Sequence, residues 1–453
     1  MKISFNWLKK HIDLSESPEE ISALLTNCGL EVEDVYEHEF VKGGLKGLIV
    51  GQVISTQKHP DADKLKLTKV DIGDNKILEI VCGAPNVEVA HKVVIAQVGV
   101  TIFPINAEPF TIKKAKIRGV ESNGMICAED EIGIGTNHAG IMILDEKCIS
   151  GKNITEYITT GNDYIFEIGL TANRGDAASH LGVARDLKAL LNKKLNKIKN
   201  ENLKSGNKNF PLEIFINNNE LCERYCGVFI NNVSVKESPQ WLKHKLDAIG
   251  IKPINNVVDI TNYIMHDIGQ PVHAFDFDKL KGNIEVRKSV HNEKIITLAN
   301  EEKKLTGNEL VIADSTGPIA LAGVIGGLST CIDNNTKNIF VEIACFDMSA
   351  VRKTSKITGI STDSSFRFER GTDPDNTMNA LIEASNLIID NTGGIVEFKP
   401  IDIVNRKINN SEVYISFEKL KRILGIEIEK DTLKNIILNL EMQIIEEKLK
   451  QLQ

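Results

Sequence analysis

The chain has 453 residues, 42% hydrophobic and 26% charged, and carries a net charge of −8. That length exceeds one ordinary core and predicts three or four domains of globular composition. No run of eighteen apolar residues could span a membrane, and MKISFNWLKKHIDL lacks the apolar stretch and cleavage site of a secretory signal, so a cytoplasmic chain is expected. The acidic balance excludes a protein that coats nucleic acid over its whole surface but allows a local basic face. The eight scattered cysteines form no CxxC pair and predict reduced, partly buried thiols rather than a zinc site.

The first forty residues read as a strand followed by a helix. Ser17, Pro18, Glu19 and Glu20 make a capping box with proline at the first helical position. Ile21, Leu24, Leu25 and Cys28 supply an apolar stripe, and Gly29 suits a left-handed C-terminal cap. From about Gly47 to Leu144 short alternating segments follow, GLIVGQVIST, LKLTKVDIG, KILEIVCGA and HKVVIAQVGVTI, separated by Gly, Pro and Asn turns. They predict a small closed barrel, with the oligonucleotide-binding fold as first candidate. HLGVARDLKALLNKK predicts a helix with Leu181, Ala184, Leu187, Leu190 and Leu191 on one face, and the Lys- and Asn-rich stretch after it reads as a solvated linker. Residues 211 to 400 mix strands and helices, including the glycine-rich LAGVIGG and a helix ending at Gly393. Beyond Pro400, the segment beginning VYISFEKLKRILG reads as a strand and two helices of a small, incomplete domain.

Lys113, Lys114, Lys116 and Arg118 put four cations within six residues. On a barrel rim they would neutralise phosphates of a folded RNA; as an ordinary strand edge they would deter aggregation. Thr261, Asn262, Gln270 and His273 read as polar groups crowded on two connected loops. Residues of these types serve as turn formers or satisfied buried groups as well as active residues. LAGVIGG lacks the lysine of a phosphate loop and the spacing of a dinucleotide fingerprint.

Three blocks, His59-Pro60-Asp61-Ala62-Asp63-Lys64-Leu65, Val81-Cys82-Gly83-Ala84-Pro85-Asn86 and the run from Lys113 to Met125, together resemble the tRNA-binding barrel of bacterial phenylalanyl-tRNA synthetase beta subunits and of free-standing tRNA-binding proteins. The segment from Phe166 to Asp176, with Ser179-His180-Leu181-Gly182 after it, is similar to the beta-subunit pattern that follows the barrel. Asn256 to Tyr263, Gly269 to Asp276, Ala322 to Gly327, Phe340 to Glu342 and Thr362 to Gly371 are similar to its proofreading domain, in the family's order. Phe366-Arg367-Phe368-Glu369 looks like the ATP signature of class II synthetases, but its place beside the proofreading residues makes that coincidental, and no ATP contact is assigned.

The resemblance implies an α+β multidomain chain. Its expected parts are an N-terminal α/β domain in two pieces (1–38 and 151–195), an inserted oligonucleotide-binding β-barrel for tRNA (39–150), a linker (196–210), a mixed α/β proofreading domain (211–400) and the start of a small helical domain (401–453). It also implies a beta subunit that works with an alpha subunit, two of each, to attach phenylalanine to tRNA(Phe), with ATP and magnesium whose ligands cannot be identified in residues 1–453. The chain alone is not expected to aminoacylate. An apolar pocket shaped for phenylalanine rejects the extra hydroxyl of tyrosine only weakly, by factors on the order of a hundred, so a second, hydrolytic pocket is needed. By the resemblance Glu342 pairs with the phenol, Ala322, Gly326, Thr362 and Ser364 surround the ring, and Thr261, Asn262 and His273 lie near the ester. Lys252 falls where relatives often carry Arg, keeping the charge but not the planar fork, and Ser364 stands where many carry Ala. The rival expectation is a tRNA-binding scaffold without catalysis, which would have no use for Thr261, Asn262, His273 and Glu342 together.

Overall fold

The computed structural model describes residues 1–105, 107–158, 161–196, 202–405 and 411–447. Parts of the predicted linker (197–201) and of the C-terminal segment (406–410 and 448–453) lie outside the described residues. The chain divides into two compact units, Met1–Tyr36 with Tyr164–Gln453, and Glu37–Asp163.

In the unit Glu37–Asp163 the alternating segments become strands Leu48–His59, Ala62–Asp71, Ile77–Cys82 and Lys92–Gln97. The sheet runs in the order Gly124–Ile126, Lys92–Gln97, Leu48–His59, Ala62–Asp71, Ile77–Cys82, with Ile143–Leu144 also paired to Lys92–Gln97. Its ends approach one another: Asn123 N donates to Glu79 O (2.9 Å) and Val81 N to Ser122 Oγ (3.1 Å), so the barrel is nearly closed. Val53, Val70, Ile80, Val93 and Ile95 share one core, while Val94 and Ala96, on the other face of the same strand, share a second with Val50 and Ile102.

The larger unit begins with a three-stranded sheet in the order Lys2–Ser4, Asn162–Gly169, Glu31–Glu39. Helix Pro18–Asn27 starts on the predicted capping box, Glu20 N donating to Ser17 Oγ and Ser17 N to Glu20 Oε2. A seven-residue helix, Phe5–His11, precedes it where the sequence pattern predicts none. Helix His180–Leu191 buries His180, Val183, Ala184 and Leu187 but leaves Leu190 43% exposed, so its inner face is turned from the predicted stripe. The cause is His180, whose ring stacks on Trp7 at 4.0 Å, accepts from Ser4 N and bonds His266 O, pulling the first turn inward.

The rest is built on a four-stranded sheet in the order His273–Asp276, Ile339–Phe346, Cys222–Ile230, Ile401–Val404. The central strand Ile339–Phe346 is buried on both faces, and its period of two sorts the contacts. Ile339, Val341 and Ile343 share a core with Val257, Ile260 and Ile264 of helix Asn256–Ile268 and with Ala380 and Ala384 of helix Thr377–Thr392. Phe340, Ala344 and Phe346 share another with Val286, Ile312, Ile319 and Ala320 of a five-stranded sheet, ordered Ile214–Ile216, Ile284–Lys288, Leu310–Asp314, Gly317–Leu321, Ile325–Gly326.

Two local expectations change. Thr261 and Asn262 belong to helix Asn256–Ile268, not a loop: Asn255 caps its start, accepting from Val257 N and Val258 N, and Gly269 ends it at φ 83°. The segment Val413–Ser416 forms no strand, its Val413 and Tyr414 being 84% and 80% exposed, because no partner strand is present among the described residues; helices Phe417–Leu424 and Lys430–Asn439 do form. The eight cysteines are free and six are buried. No helix among the described residues is long and apolar enough to cross a membrane.

Candidate functional site

His273 opens the edge strand and stands directly opposite Glu342 on the central strand. Directly opposed residues of an antiparallel pair project to one face, which here also carries Phe340 and Ala344, the face turned to the five-stranded sheet. Glu342 is 4% exposed, and among the described residues nothing hydrogen-bonds its carboxyl. Burial alone pushes that carboxyl up to about 8. Burial alone also pushes the His273 imidazole down to about 4, with the residue as a whole half-buried. At neutral pH both are uncharged. An apolar core avoids polar groups without partners, which makes this pair the candidate site.

The neighbouring backbone leaves room for these side chains. A Cβ on Gly326 would stand 2.5 Å from His273 Cε1 and 3.1 Å from Leu298 Cδ1, so the imidazole rests against bare main chain. Ala322 is fully buried in the turn that leads to Gly326, with its N donating to Leu310 O. The first turn of helix Asp363–Phe368 holds that turn in place: Thr362 Oγ1 donates to Val324 O (2.7 Å) and Ser364 Oγ to Gly323 O (3.1 Å). Glu342, His273 and Gly326 thus meet, with Ala322, Thr362 and Ser364 joined on the adjoining turn.

Other expected residues stand apart. Thr261 Oγ1 donates to Val258 O (2.7 Å) within its helix, which covers the opposite face of the four-stranded sheet. Asn262 follows it in the same turn. Lys252 is exposed on the loop between helices Gln240–Ala248 and Asn256–Ile268, and among the described residues no bond joins it to the His273–Glu342 pair. Gln270 is used structurally, its Nε2 donating to Ala344 O. Two residues that the motifs did not single out share the setting of Glu342: Gly227, directly opposite it on strand Cys222–Ile230, and Tyr225, whose buried hydroxyl has no partner among the described residues. No sequence signal marks them, because strand register creates their proximity.

Arg367 is fully enclosed, with Nε donating to Ala178 O, Nη1 to Asp363 O and Nη2 bonded to His266 Nδ1. A guanidinium consumed by packing cannot clamp a nucleotide. The described residues also contain no group of three His, Cys, Asp or Glu able to hold a metal ion. No residue is assigned to magnesium or ATP, and no step is derived through either.

In the barrel unit, Lys113, Lys114, Lys116 and Arg118 are all exposed, on and before the hairpin Ala115–Ile117/Val120–Ser122. Arg118 sits in the turn at φ 44° and donates to Asp61 O (3.2 Å), while His59 Nε2 bonds Ile117 O (3.2 Å). The first and third motif blocks are thus one surface. Lys114 pairs with Glu121 at 2.8 Å. The middle block is structural there: Asn86 bonds both the N and the O of Ile141.

Residues 48–153 match the tRNA binding domain family and residues 221–393 the B3/4 domain family. The phenylalanine–tRNA ligase beta subunit of Bacteroides thetaiotaomicron is 44% identical over 453 residues, covering 99% of this chain and 55% of the relative. Along nearly its whole length the chain is similar to the N-terminal part of this beta subunit. The Fusobacterium nucleatum beta subunit is 43% identical over 445 residues, 98% of this chain and 55% of its own. The chain spans about half the length of the curated beta subunits it matches. An N-terminal fragment of the phenylalanyl-tRNA synthetase beta subunit from Pyrococcus horikoshii, at 17% identity and a TM-score of 0.29 over 62% of this chain and 77% of its own, is too distant to compare folds. Both matched domain families coincide with a region described above: the nearly closed barrel, and the sheet that carries Glu342 and His273.

Proposed function

We propose that this chain binds tRNA(Phe) through its barrel, an oligonucleotide-binding fold, and hydrolyses tyrosine mischarged on that tRNA in a pocket between the four- and five-stranded sheets. It does so as the beta subunit of a cytoplasmic phenylalanine–tRNA ligase, two alpha and two beta subunits, that charges tRNA with ATP and magnesium. The observation that carries the reading is the buried Glu342 carboxyl, without a hydrogen bond among the described residues, directly opposite His273.

A neutral carboxyl in an apolar setting both accepts from and donates to a phenol. A phenylalanine ring offers it nothing, and leaving such a group unpaired costs about 1–3 kcal/mol. Tyrosine is therefore admitted and phenylalanine refused. His273, neutral and against the bare Gly326 backbone, is free to orient a water toward the ester. Ala322, Thr362 and Ser364 wall the ring. The scaffold reading explains none of this, because a scaffold gains no stability from orphaned polar groups.

The test is deacylation of purified Tyr-tRNA(Phe) and Phe-tRNA(Phe) by the assembled protein. Glu342→Ala is expected to weaken discrimination between the esters, His273→Ala to slow hydrolysis, and Ser364→Trp to abolish clearance with the fold intact. Wild-type clearance by all three variants would sink the reading.

A further inference from the structure

Three polar side chains lie on the inner face of the four-stranded sheet, and the proposed pocket uses two. His273 faces Glu342, Gly227 continues that row on the next strand, and Tyr225, two residues along, shares the face. The Tyr225 ring is fully buried in the core with Phe340 and Ala344, yet among the described residues its hydroxyl has no hydrogen-bond partner. Phenylalanine would fill that space without stranding a donor, so the hydroxyl destabilises the fold as it stands. Gly227 lies directly across from Glu342 and gives its side-chain space to the Phe340 ring; a Cβ there would meet Phe340 Cζ at 2.3 Å. Tyr225 is the diagonal neighbour of Glu342, a separation that long side chains span. Burial first, and the nearby Glu342 carboxyl second, hold its phenol well above the ordinary range.

We propose that Tyr225 is a positioning residue for Glu342: its hydroxyl donates to one carboxyl oxygen when a phenolic ligand engages the other. The inference rests on the editing reading above and deepens it. A carboxyl free to rotate accepts a phenol in several orientations. A fixed donor on one oxygen leaves the other aimed into the pocket, so the protein sets selectivity with a group that never touches the ligand.

The experiment compares Tyr225→Phe and Glu342→Ala, each in the assembled protein, by thermal unfolding and by clearance of Tyr-tRNA(Phe) and Phe-tRNA(Phe). Tyr225→Phe is expected to melt at or above the wild-type temperature, since no existing bond is removed. Its selectivity for the tyrosyl ester should drop by about tenfold, the worth of one hydrogen bond. Normal clearance by Tyr225→Phe while Glu342→Ala is impaired overturns the role of Tyr225 and leaves the pocket standing. Normal clearance by both variants removes the pocket and this inference together. A lower melting temperature with unchanged selectivity makes the hydroxyl structural and overturns the proposal.

Discussion

Glu342 owes its character to surroundings that its own neighbours in sequence do not reveal. Phe340-Val341-Glu342 looks like any strand with one acid, and only the pairing with His273 and Gly227 takes the carboxyl out of water. Resemblance singled it out; its protonation was not legible. That protonation has a measurable sign. The folded carboxyl titrates at about 8, above the ordinary value of 4.5. Between those limits the unfolded chain has released a proton that the folded chain keeps, so this group's stabilisation, complete below pH 4.5, is lost as pH rises through 8. The slope is at most about 1.4 kcal/mol per pH unit. Unfolding free energies of the wild type and of Glu342→Gln, measured from pH 5 to 8, should diverge, with only the wild type falling for this reason. Parallel curves would mean that the carboxyl is ionised in the fold.

At the scale of elements, helices with their own end signals were readable and those held by distant contacts were not. Ser17 and Glu20 announce helix Pro18–Asn27, and Gly393 ends helix Thr377–Thr392 in the left-handed conformation expected of it. Helix Phe5–His11 is too short to persist by propensity. It exists because Trp7 stacks between His180 and Tyr263 and donates through Nε1 to Asp267 (2.7 Å). Lys10 and His11 bond the same carboxylate, which burial opposes but these two partners hold well below the usual range. Helix Asn256–Ile268 is hard to read because NVVDITNY is rich in β-branched residues, although Asn255 and Gly269 mark both its ends. Asp267→Asn should cost about 3 kcal/mol, since it strips the charge from a fully buried group that three side chains share. Urea unfolding checks this, and a change under about 0.5 kcal/mol, the scale of an exposed pair, would make the network incidental.

For the whole molecule the same division holds. The segments that become barrel strands followed from alternation and turns, whereas their order in the sheet and the meeting of the His59 and Lys113 blocks are long-range events that no local pattern encodes. The surface they form makes a prediction for RNA. Lys113→Ala with Lys116→Ala should flatten the dependence of log affinity on log salt by about 0.7–0.9 for each phosphate left without its cation. Lys114→Ala should do less, because Glu121 already neutralises it in part. Filter binding of tRNA(Phe) at several salt concentrations decides; an unchanged slope in the double variant removes the patch from the interface.

The path of the chain carries one more consequence. It leaves the larger unit at Tyr36 and re-enters at Tyr164, and strands Glu31–Glu39 and Asn162–Gly169 are hydrogen-bonded neighbours. Entry and exit therefore already form the two arms of a hairpin. Seen from the host, everything between them is a very long loop, and loop-closure entropy grows only logarithmically with length. A host built this way tolerates exchange of the whole cassette: a two-residue turn, or a foreign barrel with adjacent termini, would satisfy the same pair of strand ends. Such an exchange would leave the core around Trp7 closed.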